Sequence, residues 1–236
     1  MDHAALFPPA SMSLADALDE DRQARENPYG WLVGRFVVPA AKLAELPADR
    51  PALSVVLSSL DDVTLLDGAA DVEAVELVLP SGRPPSADLV AAYTALQPLE
   101  VETYFELVFD EGWRDSVPAT IGAVAAIGGR VKLRCGGSFV PSVEQVGLVV
   151  VCCRDAGVRF KATAGLHHPV RRGDEHGFLN LLAAATAPLA RVEDVLAEAD
   201  GSALEVEDSG RKVFVSFGSC SWREPVEGLR ELGMLE

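Results

Sequence analysis

The sequence predicts an α/β fold, a (β/α)8 TIM-like barrel that is either irregular in its first units or has seven parallel strands. Three observations predict it. Short apolar runs recur along the chain with helical patterns between them, the alternation that builds right-handed βαβ units and a parallel sheet. The chain has 236 residues, a length that suits one such barrel with a sizeable core. No glycine-rich GxGxxG follows the first strand, which removes the strongest argument for the competing open, doubly wound sheet.

Residues 1–30 read as an irregular lead-in. FPPAS breaks any early helix there, and SLADALDEDRQAREN (13–27) is an exposed helix stopped at Asn27-Pro28. A single barrel domain is expected over 31–236. Its strands are WLVGRFVV (31–38), ALSVVLS (52–58), VEAVELVL (72–79), ETYFELVF (102–109), GRVKLRC (129–135), VRFKATA (158–164) and KVFVSF (212–217). Helices are expected over 86–97, 117–127, 143–156 and 175–187, with shorter ones near 39–46 and 189–198. The helix 143–156 has the clearest signals. Ser142 and Gln145 form a Ser-x-x-Gln capping box, Val146, Val149, Val150 and Cys153 share a stripe, and Gly157 supplies a left-handed stop. The segment 203–217 places Asp-Ser-Gly between two strand-like runs and reads as a local hairpin.

The formal charge of −16 excludes nucleic acid and anionic membrane surfaces as partners and leaves small-molecule substrates, anionic ones included if the few basic residues converge. A homo-oligomer is left open. The four cysteines, Cys135, Cys152, Cys153 and Cys220, form no CxxC pair, so a zinc ribbon is not expected. Reduced thiols and a cytoplasmic location are the expectation. MDHAALFPPAS lacks a basic region followed by an apolar run, so no signal peptide is expected. LVVVCC, the longest wholly apolar run without Gly, is far short of a membrane span. No motif calls for a cofactor or a metal.

Side chains alternate across a strand, so each run has two faces. Val75, Leu77 and Leu79 oppose Glu76; Phe105, Leu107 and Phe109 oppose Tyr104, Glu106 and Asp110. Val131 and Leu133 oppose Lys132 and Arg134; Phe160 and Ala162 oppose Lys161 and Thr163; Val213 and Val215 oppose Phe214 and Ser216. In a barrel the apolar face meets the helices. Glu76, Glu106, Lys132, Arg134 and Lys161 then enter the barrel from different strands. Such charges must be paired or serve a site, because an unpaired buried charge costs several kcal/mol. They form either a structural ion-pair network or a pocket at the C-terminal mouth. A buried lysine beside another cation has a lowered pKa, and its free amine can attack a carbonyl to form a Schiff base.

KLRCGG (132–137) and KATAGL (161–166) fall on consecutive expected strands, and the helix between them opens with SVEQV (142–146). FGSCS (217–221) follows on the last strand. Together, over residues 129–221, these resemble the class I deoxyribose-phosphate aldolases, which are TIM-barrel enzymes. The resemblance implies that Lys132 is the Schiff-base lysine and Lys161 the second lysine that lowers its pKa. It places Gly136 and Gly137 in the first motif, sets Gly165, Gly218 and Ser219 near a substrate phosphate, and makes Glu106 or Asp110 the acidic partner.

HHPVRRGDEH (167–176) gathers other candidates. His167 and His168 suit general acid–base work, since imidazole titrates near neutrality. With His176 and Glu76 or Glu106 they offer a metal-assisted alternative, although no standard zinc spacing is present. Arg171 and Arg172 are candidates for clamping an anion. Cys135 and Cys220 are nucleophiles only if their thiol pKa values are lowered. Trp113 is a candidate for the pocket mouth, and Asn180 for bonding a neighbouring loop. The expected function is a lysine-centred barrel enzyme performing a lyase or aldolase-type reaction on a small carbonyl or phosphorylated substrate through an imine or enolate. A non-catalytic ligand-binding barrel and a metal-assisted lyase or hydrolase are the alternatives.

Overall fold

A computed structural model describes residues 1–78 and 85–236. Eight parallel strands close on themselves in sequence order: β1 (Asp2–His3), β2 (Phe36–Pro39), β3 (Leu53–Leu57), β4 (Val72–Val78), β5 (Glu102–Glu106), β6 (Arg130–Arg134), β7 (Phe160–Thr163) and β8 (Phe214–Ser219). The closing seam is short. His3 stands opposite Phe36 on one side and Ser219 on the other. β1 thus comes from within residues 1–30, the segment expected as a lead-in. The expected helix there is present as α1 (Leu14–Glu26), capped by Ser13 and ended at Asn27.

The outer layer is made of α2 (Pro85–Leu96), α3 (Trp113–Ala126), α4 (Val143–Ala156), α5 (Phe178–Ala184), α6 (Val192–Ala197) and α7 (Arg223–Glu231). α4 has both hydrogen bonds of its capping box and ends at Gly157 with φ +65°. After β2 and β3 the crossovers are 3-10 turns, Ala40–Glu45 and Leu60–Leu66, so the first units are irregular. The core lies between the outer faces of the strands and the helices. Phe105, Leu133 and Phe160 are fully buried there, and each such side chain contributes about 1.5–3 kcal/mol of burial.

Three expectations are corrected. The strand expected from residue 31 begins at Phe36, because Gly30–Leu32 is a 3-10 turn with Trp31 70% exposed and the Gly34 amide donates to Met1 O at 2.6 Å. The hairpin expected over 203–217 does not form. Residues 208–212 make a 3-10 turn, and β8 runs parallel between β7 and β1, whose edges supply the partners a hairpin strand would have offered. The helix expected from 175 starts at Phe178, because Arg172 and Glu175 exchange backbone hydrogen bonds around Gly173. Strand 72–79 is described as far as Val78; Leu79 lies outside the described residues.

The N-terminal end of the barrel is plugged by charge. Glu102 takes Arg35 Nη1 at 2.8 Å and Arg130 Nη2 at 2.7 Å, and accepts the Tyr104 hydroxyl at 3.0 Å. This leaves the opposite, C-terminal end as the open one.

Candidate active site

Strand alternation delivers four charged side chains to the barrel interior. Glu76, Glu106, Lys132 and Lys161 are all buried there. Three of them are in register, Glu106 opposite Lys132 and Lys132 opposite Lys161, while Glu76 stands opposite Tyr104. Lys132 Nζ lies 2.8 Å from Glu76 Oε2 and 2.8 Å from Glu106 Oε2. Lys161 Nζ lies 2.6 Å from Glu76 Oε1 and 2.5 Å from Asp2 Oδ2. Glu76 therefore bridges both lysines, and Ser54 Oγ donates to its Oε1 at 2.7 Å. Tyr104 closes the layer from below, with Lys161 Nζ 5.3 Å from the ring centre.

The lysines behave opposite to the expectation of a lowered pKa. Burial alone pulls the Lys161 pKa down, but the charges of Glu76 and Asp2 outweigh it and the net shift is upward. Lys132 follows the same pattern, with burial opposed by Glu76 and Glu106. Burial would raise the Glu76 pKa, yet the two ammonium groups hold this carboxyl well below the usual range. Carboxylates stand between the two cations, so each lysine sees its counter-ions more closely than it sees the other lysine.

Above this layer a cavity of about 170 Å³ opens at the C-terminal mouth. Ala4, Val37, Val56, Val78, Glu106, Arg134, Thr163 and Gly218 bring all eight strands or their immediate exits to its wall. Such convergence at that end is where barrel sites are built. Lys132 and Glu76 form the floor. Lys161 is 0% exposed and lies beneath, outside the lining. Thr163 lines the wall, and its buried Oγ1 has no hydrogen-bond partner. Gly165 is held at φ +70°, and a Cβ on Gly136 would come within 2.9 Å of Gly165 Cα, so the loops after β6 and β7 cross where only glycine fits.

Of the remaining expected site residues, His167 reaches the rim, with Nδ1 2.7 Å from Glu224 Oε2. Gly136 underlies Gly165 rather than lining the cavity. His168, Gly137, Ser216 and Ser219 also do not line it. His168 Nε2 is 3.4 Å from Glu175, pointing along its own loop. Gly137, at φ +93°, is exposed beside Arg134. Ser216 borders a separate apolar cleft under α5 and α7, because β8 shifts register at its pairing with β7. Ser219 Oγ is spent on Ser221 O at 2.6 Å.

The histidine loop does not gather. His176 is buried with Nε2 2.8 Å from Pro141 O, and burial lowers its pKa. Among the described residues no three of His, Cys, Asp and Glu are grouped to hold a metal. Arg171 and Arg172 are engaged with His176 and Glu231 and do not line the cavity. Neither thiol is activated. Burial pushes Cys135 up to about 12 and raises Cys220. Trp113 packs edge-on to Phe109 and stays away from the cavity. Asn180, fully buried, bonds three backbone groups of its neighbours.

Sequence reasoning misses Asp2 and Ser54 as parts of this layer, and places Tyr104 on the inward face beside Glu106. A two-residue strand has no readable period, so nothing marked Asp2. Ser54 shares the inward alternation of the charged residues, which is the signal that marks it.

The fold and the pocket define the class: a parallel (β/α)8 barrel with a lysine–carboxylate floor at its C-terminal mouth. Neither a family model nor a curated protein matches the chain. Among solved structures it is similar to the tetrameric deoxyribose phosphate aldolase from Aeropyrum pernix, at 14% identity and a TM-score of 0.60, over 98% of this chain and 89% of that one. At that identity the likeness shows a shared fold, the TIM barrel, and agrees with the resemblance of KLRCGG and KATAGL.

Proposed function

We propose that the chain is an aldolase-type lyase in which Lys132 forms an imine with a small carbonyl substrate. One observation carries the reading: Lys132 Nζ sits on the cavity floor 2.8 Å from each of two carboxylates, Glu76 and Glu106, which also line the cavity. Lys161 is sealed below and serves as a fixed counter-charge for Glu76 and Asp2. Lys132 is therefore the nucleophile of the pair.

The resting ammonium passes a proton to Glu106, and the free amine adds to the carbonyl carbon. The proton on Glu106 then leaves with the carbinolamine hydroxyl as water. Ammonium and carbonyl have become iminium and water, with no net change of charge, so the floor keeps its balance throughout. The iminium accepts the electron pair of the adjacent carbon–carbon bond as it breaks, and Glu106 takes the proton of the β-hydroxyl. The products are an enamine and an aldehyde; the reverse sequence is an aldol addition. Thr163 Oγ1, buried without a partner, offers a hydrogen bond to the substrate oxygen.

Borohydride reduction in the presence of acetaldehyde tests this. The expected result is a reduced adduct mapped to Lys132 by peptide mass spectrometry and lost in Lys132→Met. An adduct that persists in Lys132→Met, or none across a panel of small aldehydes and ketones, overturns it.

A further inference from the structure

The cavity has two chemically different halves. The half formed after β5–β8 carries Glu106, Lys132, Arg134, Thr163 and His167. The half formed by β1–β4 and the loop after β1 carries Phe7, Pro8, Pro9, Val37, Val56 and Val78. Among the described residues its single polar side chain is Glu76, whose two oxygens are already held by Lys132, Lys161 and Ser54. Among the described residues nothing else on that wall receives or donates a side-chain hydrogen bond.

A hydroxyl pressed against such a wall loses its water and finds no replacement, whereas hydrocarbon gains by being covered. The floor adds a second discrimination. On its cavity side the floor presents two carboxylates, Glu76 and Glu106, on either side of the Lys132 ammonium, so a phosphate lowered towards Lys132 would meet both of them. Arg134 lies at the rim of the other half, where it does not offset the apolar wall.

We infer that the substrate is an aldehyde or ketone with a hydrocarbon body, its carbonyl turned to Lys132 and Thr163 and its carbon chain laid along Val37, Val56 and Phe7, and not a polyhydroxylated sugar phosphate. This rests on the imine reading above and narrows it.

The test compares the rate of reductive labelling of Lys132 by 3-methylbutanal with that by glyceraldehyde 3-phosphate, each divided by its rate with Nα-acetyl-lysine. A ratio of about tenfold or more favouring 3-methylbutanal is expected, the size of discrimination that one or two apolar groups produce. It should fall in Val56→Thr and in Val37→Thr, which keep the side-chain shape and add one hydroxyl. Labelling of Lys132 with an equal or reversed ratio overturns the inference and leaves the imine reading standing. A ratio that Val56→Thr and Val37→Thr do not move also overturns it. If neither aldehyde labels Lys132, the imine reading fails. The apolar half is then judged by 3-methylbutan-1-ol, which cannot form an imine. Thermal stabilisation weakened by both Val→Thr changes supports a hydrocarbon site; no stabilisation ends it.

Discussion

The barrel floor and the loop 167–176 both concentrate titratable residues, yet they use them in opposite ways. On the floor, Asp2, Glu76, Glu106, Lys132 and Lys161 come from five strands and converge within hydrogen-bond distance. In the loop, His167, His168 and His176 are neighbours in sequence and are turned to three separate partners, Glu224, Glu175 and the Pro141 carbonyl. The loop is tied into itself. His168 O and Pro169 O accept the first amides of α5, and the Arg171 amide donates to Asn180 Oδ1. Closeness along the chain measures little about chemistry; convergence across strands measures more, because each strand fixes its side chains from a rigid frame.

The largest effect is expected on the floor. Lys161→Met strands Asp2 and Glu76 without their shared cation, and losing one partner of a buried pair costs about 3–5 kcal/mol. Urea denaturation followed by circular dichroism should find that loss. A cost below about 1 kcal/mol would mean that water reaches the pair and that the floor is no more buried than the loop.

The pH dependence sharpens the same contrast. Lys161 and Lys132 have raised pKa values, so their stabilisation is complete below the ordinary lysine value of 10.5 and is lost as pH rises through their folded values. Glu76 is lowered, so its contribution is present above the ordinary 4.5 and is lost only as pH falls through its folded value. The floor should thus be silent in stability between about pH 5 and 10. His176, lowered from 6.5, behaves otherwise: the unfolded chain takes up its proton first, so its contribution is lost as pH falls below 6.5. A small acid slope near pH 6 that vanishes in His176→Gln is the expected signature. A slope that survives the substitution would assign it elsewhere.

Next in size is Asn180. Its amide donates to Val195 O and Glu198 O at 2.8 Å each and its oxygen accepts from the Arg171 amide at 2.9 Å, all inside the fold. Asn180→Ala should cost about 1–3 kcal/mol by leaving these backbone groups unsatisfied. Labelling of Lys132 should be unchanged, since the residue holds the loop and touches nothing in the cavity.

Much of the floor was legible from strand alternation. VEAVELVL, ETYFELVF, GRVKLRC and VRFKATA each put apolar residues on one face and a charge on the other, and the pairing places those charges together. What could not be read was the sign of their pKa shifts. That sign depends on which side chain lies at 2.5–2.8 Å across the sheet, and a sequence does not order partners at that scale. Asp2 was hidden because β1 is two residues long and owes its place to the edges of β2 and β8 rather than to its own composition. The run LEVE at 204–207 misled for the converse reason. Its alternation is real, and Leu204 and Val206 do pack on the core, but no strand edge is free beside it.

The smallest expected effect completes the comparison. His168 is half-buried, and the charged neighbour it meets among the described residues, Glu175, is 53% exposed at 3.4 Å. Pairs of that kind contribute little, because solvent screens them and holding both side chains costs entropy. His168→Gln should change stability by less than about 0.5 kcal/mol and leave the rate of Lys132 labelling within twofold of the parent. His167→Gln is the informative control, because His167 stands at the cavity rim two positions beyond Gly165. A slower labelling in His167→Gln with none in His168→Gln would place the boundary of the site between two adjacent histidines. If His168→Gln slowed labelling as well, the loop would act on the cavity as a unit, and its internal ties would be part of the site.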